Sequence, residues 1–82
     1  MEGDIEMKEK LIEILLDINS DVDYENEDSL IDGEIIDSVE LMQIIAEMED
    51  NFDISIDMED IIPENFNSID SMLMLIEKLQ ND

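Results

Sequence analysis

The 82 residues suffice for one domain, 1–82, and carry 26 Asp and Glu against 3 Lys and Arg, a formal net charge of −23. That charge opposes binding to a nucleic-acid backbone or an anionic membrane surface, while a 44% share of hydrophobic residues supplies a core and points to a basic protein partner. Cys and His are both absent, which excludes disulfides, a thiol nucleophile, the usual general base near neutral pH and the commonest zinc ligand.

The first apolar series is Ile5, Leu11, Ile12, Leu15, Leu16 and Ile18, spaced mainly by three and four. The spacing predicts a helix over about 4–18, with Asp4 as N-cap and Asn19-Ser20 ending it. Residues 19–36 are too acidic and aperiodic for a stable helix and form a long connection. Loops beyond about 12–15 residues are uncommon and often functional. Leu30, Ile31, Ile35 and Ile36 would pin this one to the core, and Gly33 supplies a turn.

Asp37-Ser38-Val39-Glu40 has the spacing of a capping box, with Asp37 as N-cap and Glu40 three residues on. A second helix then runs through Val39, Leu41, Met42, Ile44, Ile45 and Met48 to about Asn51, with Phe52 closing it on the core. Asp53-Ile54-Ser55-Ile56 alternates like a strand, but no second strand exists to pair with it, so an extended connector is expected. Residues 57–62 allow one or two helical turns, stopped by Pro63. Ser68 caps a last helix with Ile69, Met72, Leu73, Ile76 and Leu79 on one face, and Lys78 suits the dipole of its final turn. The expected fold is all-α, with three longer helices, one short one, and a long loop between the first two.

No apolar run approaches 18 residues, so no membrane span is expected. The acidic start Met-Glu-Gly-Asp lacks a signal peptide's basic and apolar regions, and the expected compartment is the cytoplasm. Without His or Cys the chain holds no obvious nucleophile–base pair, and paired carboxylates would need a cleft that so small a bundle hardly offers. An enzyme is therefore not expected.

Three Asp-Ser dipeptides occur, at Asp28-Ser29, Asp37-Ser38 and Asp70-Ser71. A Ser beside an Asp is ordinarily a cap or a solvated loop residue. Ser29 lies inside the long loop, and Ser71 lies in the first turn of a helix that Ser68 already caps. Only Ser38 joins a long loop to the start of a strongly amphipathic helix. A helix N-terminus offers unpaired N–H groups and partial positive charge. A phosphodiester on Ser38 would sit in a favourable field within a chain that otherwise repels anions. An external enzyme would have to install it.

The stretch Asp32-Gly33-Glu34-Ile35-Ile36-Asp37-Ser38-Val39-Glu40-Leu41 resembles the Asp-Ser-Leu motif of acyl carrier proteins. Glu47-Met48-Glu49-Asp50-Asn51-Phe52-Asp53-Ile54-Ser55-Ile56 looks like the end of helix 2 and the following connector in that family. The resemblance implies a four-helix acyl-carrier-like bundle, acting as a monomer. It implies a 4′-phosphopantetheine arm on Ser38, beside Asp37, transferred from coenzyme A by a phosphopantetheinyl transferase using Mg²⁺. The arm would carry an acyl or aminoacyl group as a thioester, loaded by one enzyme and passed to acyltransferases or synthases with basic docking surfaces. The implied docking face is an apolar stripe of Val39, Met42 and Ala46 with acidic neighbours Glu40, Glu47, Glu49 and Asp50. Leu41, Ile45, Met48 and Phe52 would face the core, and core packing is the competing reading for Met42.

The chain departs from the pattern in three places. Val39 replaces the usual Leu, Gln43 stands where fatty-acid carriers often have an acidic residue, and Gly33 lies further from Asp37 than in that type. Ile62-Pro63-Glu64-Asn65-Phe66-Asn67-Ser68-Ile69 looks more like stand-alone aminoacyl or D-alanyl carriers, or discrete polyketide and nonribosomal-peptide carriers, than like carriers of fatty acid biosynthesis. Two other readings compete. Asp21 to Asp32 places oxygen side chains at positions 1, 3, 5, 9 and 12 of a calcium loop, but Asn26 replaces the required Gly and Asp32 the bidentate Glu. An acidic adaptor, or a mimic of nucleic acid, would share the charge without a modified Ser38.

Overall fold

The computed structural model describes the backbone of residues 2–81 and the side chains of residues 5–81. These residues form four α-helices and no strand: α1 Glu2–Ile18, α2 Ser38–Phe52, α3 Pro63–Phe66 and α4 Ile69–Gln80, with a 3-10 turn at Met58–Asp60. The core is built from Leu11, Ile14 and Leu15 of α1, Ile44, Ile45, Met48 and Phe52 of α2, Phe66 of α3, and Ile69, Met72, Leu75 and Ile76 of α4. α1 packs against both α2 and α4, and the short α3 leans on α4.

The first helix differs from the expected face. Ile14 is buried, whereas Ile5 and Leu16 are exposed. Because α1 packs on two helices, its buried arc centres on Leu11, Ile14 and Leu15. The helix begins at Glu2, so Asp4 falls within its first turn, and its proposed capping side chain lies outside the described residues. In α2, Ile45, Met48 and Phe52 face the core as expected, Ile44 joins them, and Leu41 is only half-buried. In α4, Leu75 is buried while Leu73 and Leu79 sit half-buried at the margin.

The short helix is also displaced from its expected position. Residues 57–62 contribute only the 3-10 turn, and α3 starts at Pro63. Proline at the first helical position lacks only an N–H that the helix would leave unpaired, and its fixed φ suits the turn. Pro63 thus opens a helix where the sequence suggested only a stop. Ser68 caps α4 as expected, reciprocally with Ser71. Asp53 ends α2 in the left-handed region, with φ 53° and ψ 52°, its N–H donating to the Glu49 carbonyl. Residues 54–57 then run without helix or strand, as a connector.

The long loop is held from inside. Leu30 and Ile36 are buried, with Ile31 and Ile35 packed against the core. Tyr24 is buried too, and its hydroxyl lies 3.0 Å from the Leu15 carbonyl and 2.8 Å from the Asn19 carbonyl. Its single hydrogen can serve either carbonyl, and the Leu15 carbonyl also accepts from the Asn19 N–H at 2.8 Å, so the phenol ties the loop to the last turn of α1. Burial pushes this phenol up to about 12, with the Glu40 carboxylate adding to the rise. Gly33 donates its N–H to the Ser29 carbonyl at 2.7 Å, and a Cβ there would meet that same oxygen at 2.6 Å, so the turn demands glycine by space alone.

Candidate functional site

The site is built where this loop enters α2. The Leu30 carbonyl accepts from the N–H groups of Ile35 and Ile36 at 3.0 and 2.9 Å, which curls the chain back on itself. Ile36 is buried, and the next residue, Asp37, is extended at φ −87° and ψ 177°. Its carboxylate accepts from the Glu40 N–H at 2.8 Å, and its own N–H donates to the Glu40 carboxylate at 3.2 Å. The predicted capping box is therefore complete.

Ser38 is the first residue of α2 and is exposed. Among the described residues its hydroxyl makes no hydrogen bond. The other two candidate serines are committed to the fold. Ser29 Oγ approaches the Asp28 carboxylate at 3.4 Å, and the Ser29 carbonyl receives Gly33. Ser71 Oγ donates to the Ser68 carbonyl at 2.9 Å within its capping box. Beside Ser38 lies an open groove of about 300 Å³, walled by Ile31, Glu34, Ile36, Asp37 and Leu41. The position of Glu34, at φ 57°, and the half-buried Ile31 and Leu41 as groove walls were not evident from the sequence.

The outer face of α2 carries the expected stripe. Val39 is 67% and Met42 60% exposed, and Ala46 is exposed as well, so Met42 is not a core residue. The four acidic neighbours divide into two kinds. Glu47 and Asp50 are exposed. Glu40 is half-buried in the capping box, and Glu49 is half-buried with its carboxylate accepting from the Ile56 N–H at 2.9 Å. Glu49 therefore holds the connector after α2 as well as contributing charge.

The acidic loop uses its carboxylates locally. Asp23 accepts from Asn26 Nδ2 at 2.7 Å, and Asp32 accepts from Asn67 Nδ2 at 2.9 Å. Among the described residues no group of three or more carboxylates is arranged to hold a metal ion. Likewise, no described helix is long and apolar enough to cross a membrane.

One residue that the sequence did not single out ties this region to the other end of the chain. Asn67 follows α3, and its side-chain Oδ1 accepts from the N–H groups of Ile31 and Asp32 at 2.9 and 3.0 Å. Its backbone carbonyl accepts from the Leu30 N–H at 3.0 Å. An Asn between two helices is usually read as a turn residue, and no local pattern signals a partner 35 residues away.

A family model described as phosphopantetheine attachment site matches residues 9–76. Neither a curated protein nor a solved structure matches the chain. The match spans most of the chain and includes the whole of α2, and the helical bundle agrees with it. The chain belongs to the phosphopantetheine-attachment family, that of the acyl carrier proteins: it is a carrier for a covalently held 4′-phosphopantetheine group, not a catalyst.

Proposed function

We propose that Ser38 is the residue that bears the arm. One observation carries this: of the three serines preceded by Asp, Ser38 alone presents an exposed hydroxyl with no hydrogen bond among the described residues, at the capped start of a long helix. The surroundings fit the group. The first turn of α2 concentrates N–H dipoles that favour a phosphodiester, and the adjacent groove leaves open space beside the hydroxyl. Ser38 Oγ offers the ester oxygen: its bond to the pantetheine-side phosphorus of coenzyme A would form as the pyrophosphate P–O bond breaks and 3′,5′-ADP leaves, with the hydroxyl proton passing to a base of the transferase. When bound, the arm supplies a terminal thiol on which an acyl or aminoacyl group is held as a thioester. Asp37 keeps the helix start ordered beneath it.

The stripe Val39, Met42 and Ala46, with Glu47 and Asp50 beside it, is the face we assign to partner enzymes: the transferase, a loading enzyme and downstream acyltransferases or synthases. Exposed apolar side chains ringed by one sign of charge favour a partner that is apolar with basic surroundings. For the cargo we favour aminoacyl or D-alanyl groups, or the intermediates of discrete polyketide and peptide systems, over primary fatty-acid synthesis. Gln43 and the segment Ile62–Ile69 support that preference.

The test is co-expression with a broad-specificity phosphopantetheinyl transferase and an intact mass. A mass gain that disappears in Ser38→Ala supports the assignment. No gain under conditions that modify a control carrier refutes it. Incubating the modified chain with an amino-acid-adenylating enzyme and an acyl-loading enzyme in parallel then separates the cargo classes by which one leaves a thioester.

A further inference from the structure

We propose that Asn67 is a positioning residue for arm transfer at Ser38, a proposal that rests on the attachment reading above. Four hydrogen bonds join Asn67 to the loop. Three use its side chain: the Ile31 and Asp32 N–H groups donate to Oδ1, and Nδ2 donates to the Asp32 carboxylate. The fourth, from the Leu30 N–H, reaches its backbone carbonyl. The two N–H donors fix which end of the amide faces the loop, because only the oxygen can accept them.

The bonds lead to Ile36, two residues before the serine. Leu30, held by Asn67, accepts from Ile35 and Ile36 through its carbonyl. Ile36 is buried and precedes Asp37, which caps α2 at Ser38. Ile31, whose N–H is held by Asn67, and Ile36 both wall the groove beside the serine. The clamp therefore sets the wall against which a transferase would seat the acceptor hydroxyl. It lies outside the capping box, so the start of α2 can stay helical while the preceding loop loosens.

Loosening has a specific kinetic signature. If the loop is competent for only a fraction of the time, the apparent affinity of the transferase for the carrier falls by that fraction, while turnover of the bound complex is unchanged. A residue that served stability alone would leave both constants unmoved at temperatures well below melting.

The experiment measures arm transfer by intact mass against carrier concentration, with purified full chain, transferase and coenzyme A. For Asn67→Ala we expect KM for the carrier to rise about tenfold with kcat within about twofold of wild type. Exchange of the Ile31 and Asp32 amides should speed up at the same time. Asn67→Asp keeps the Oδ1 acceptor but sets a second carboxylate against Asp32. It should raise KM at least as much, and adding Asp32→Asn should restore it to about the value of Asp32→Asn alone, because the donor–acceptor pair is then re-formed in reverse. This pair of substitutions also decides the matter if Asn67→Ala fails to fold. Faster amide exchange with an unmoved KM, or a failure of Asp32→Asn to rescue, overturns the proposal. Absence of any modification on wild-type Ser38 defeats the attachment reading and this proposal together, whereas a modified wild type with an unmoved KM defeats the proposal alone.

Discussion

Replacing Asp37 by Ala removes the acceptor for the Glu40 N–H, a bond of 2.8 Å, and leaves the first turn of α2 without its side-chain cap. Losing such a cap costs about 1 kcal/mol, within a range of roughly 0.5–2. Asp37 is exposed, so water can take over part of the bond, which favours the middle of that range over its top. The carboxylate also meets the positive end of the helix dipole, a favourable term of about 0.3–1 kcal/mol, while its repulsion by the other acidic residues works the other way. With these two opposed, the net loss stays at about 1 kcal/mol, which for a domain of this size lowers Tm by about 4–8 °C. Asp37→Asn keeps a capping oxygen and sheds one negative charge, so it should melt near the wild type. The assay is a thermal melt of all three chains by circular dichroism, in one buffer at physiological salt. Asp37→Ala melting with the wild type would show that the bond contributes nothing. Asp37→Asn falling as far as Asp37→Ala would show that charge, not capping, is what position 37 supplies.

Asp53→Gly should raise Tm by several degrees, because it relieves a left-handed non-glycine residue and removes an anion from the C-terminal end of α2; an unchanged or lower melt refutes this. Glu47→Lys should slow arm transfer several-fold at low salt with little change in melting, and equal rates would remove Glu47 from the docking face. Glu49→Lys should in addition destabilise the fold by about 1.5–3 kcal/mol, since the Ile56 N–H loses a charged acceptor; denaturant titration reads this directly. Tyr24 gives a pH signature. Its phenol is pushed up to about 12 in the fold, above the ordinary 10, so the folded chain holds its proton longer than the unfolded one. The tyrosine contribution is therefore intact below about pH 10 and lost as pH rises toward about 12. Tyr24→Phe should flatten that part of the stability profile while costing about 1 kcal/mol at neutral pH.

The start of α2 is fully legible in the sequence, because Asp37 and Glu40 act within one turn on either side of Ser38 and their spacing alone specifies the bonds they make. The outward stripe of Val39, Met42 and Ala46 is legible only through the family resemblance, and exposure then separates Met42 from the core. The inward face of α1 is legible only in part. Adjacent apolar pairs such as Leu11-Ile12 and Leu15-Leu16 do not reveal on which side the neighbouring helices lie, and Ile14 closes the buried arc from the side opposite Leu16. Pro63 is ambiguous because a proline that ends one turn can open the next, and the local sequence is the same in both cases. Tyr24 and Asn67 stay hidden for a shared reason. Each acts through hydrogen bonds to backbone groups, and backbone partners leave no trace in side-chain patterning.

The few cations do work that has practical weight. Lys10 of α1 donates to the Asn51 carbonyl at the end of α2 and lies 5.5 Å from the centre of the Phe52 ring, while Lys78 of α4 reaches Asp60 at 3.6 Å. Two of the three lysines thus act as rivets between segments. Acylating dyes and amine-coupled resins would modify these rivets along with other amines, removing positive charge from a chain already at −23. A labelled sample prepared that way would report on a loosened bundle. Thiol-directed reagents avoid the damage, and because the polypeptide contains no cysteine, any thiol they find belongs to the attached group.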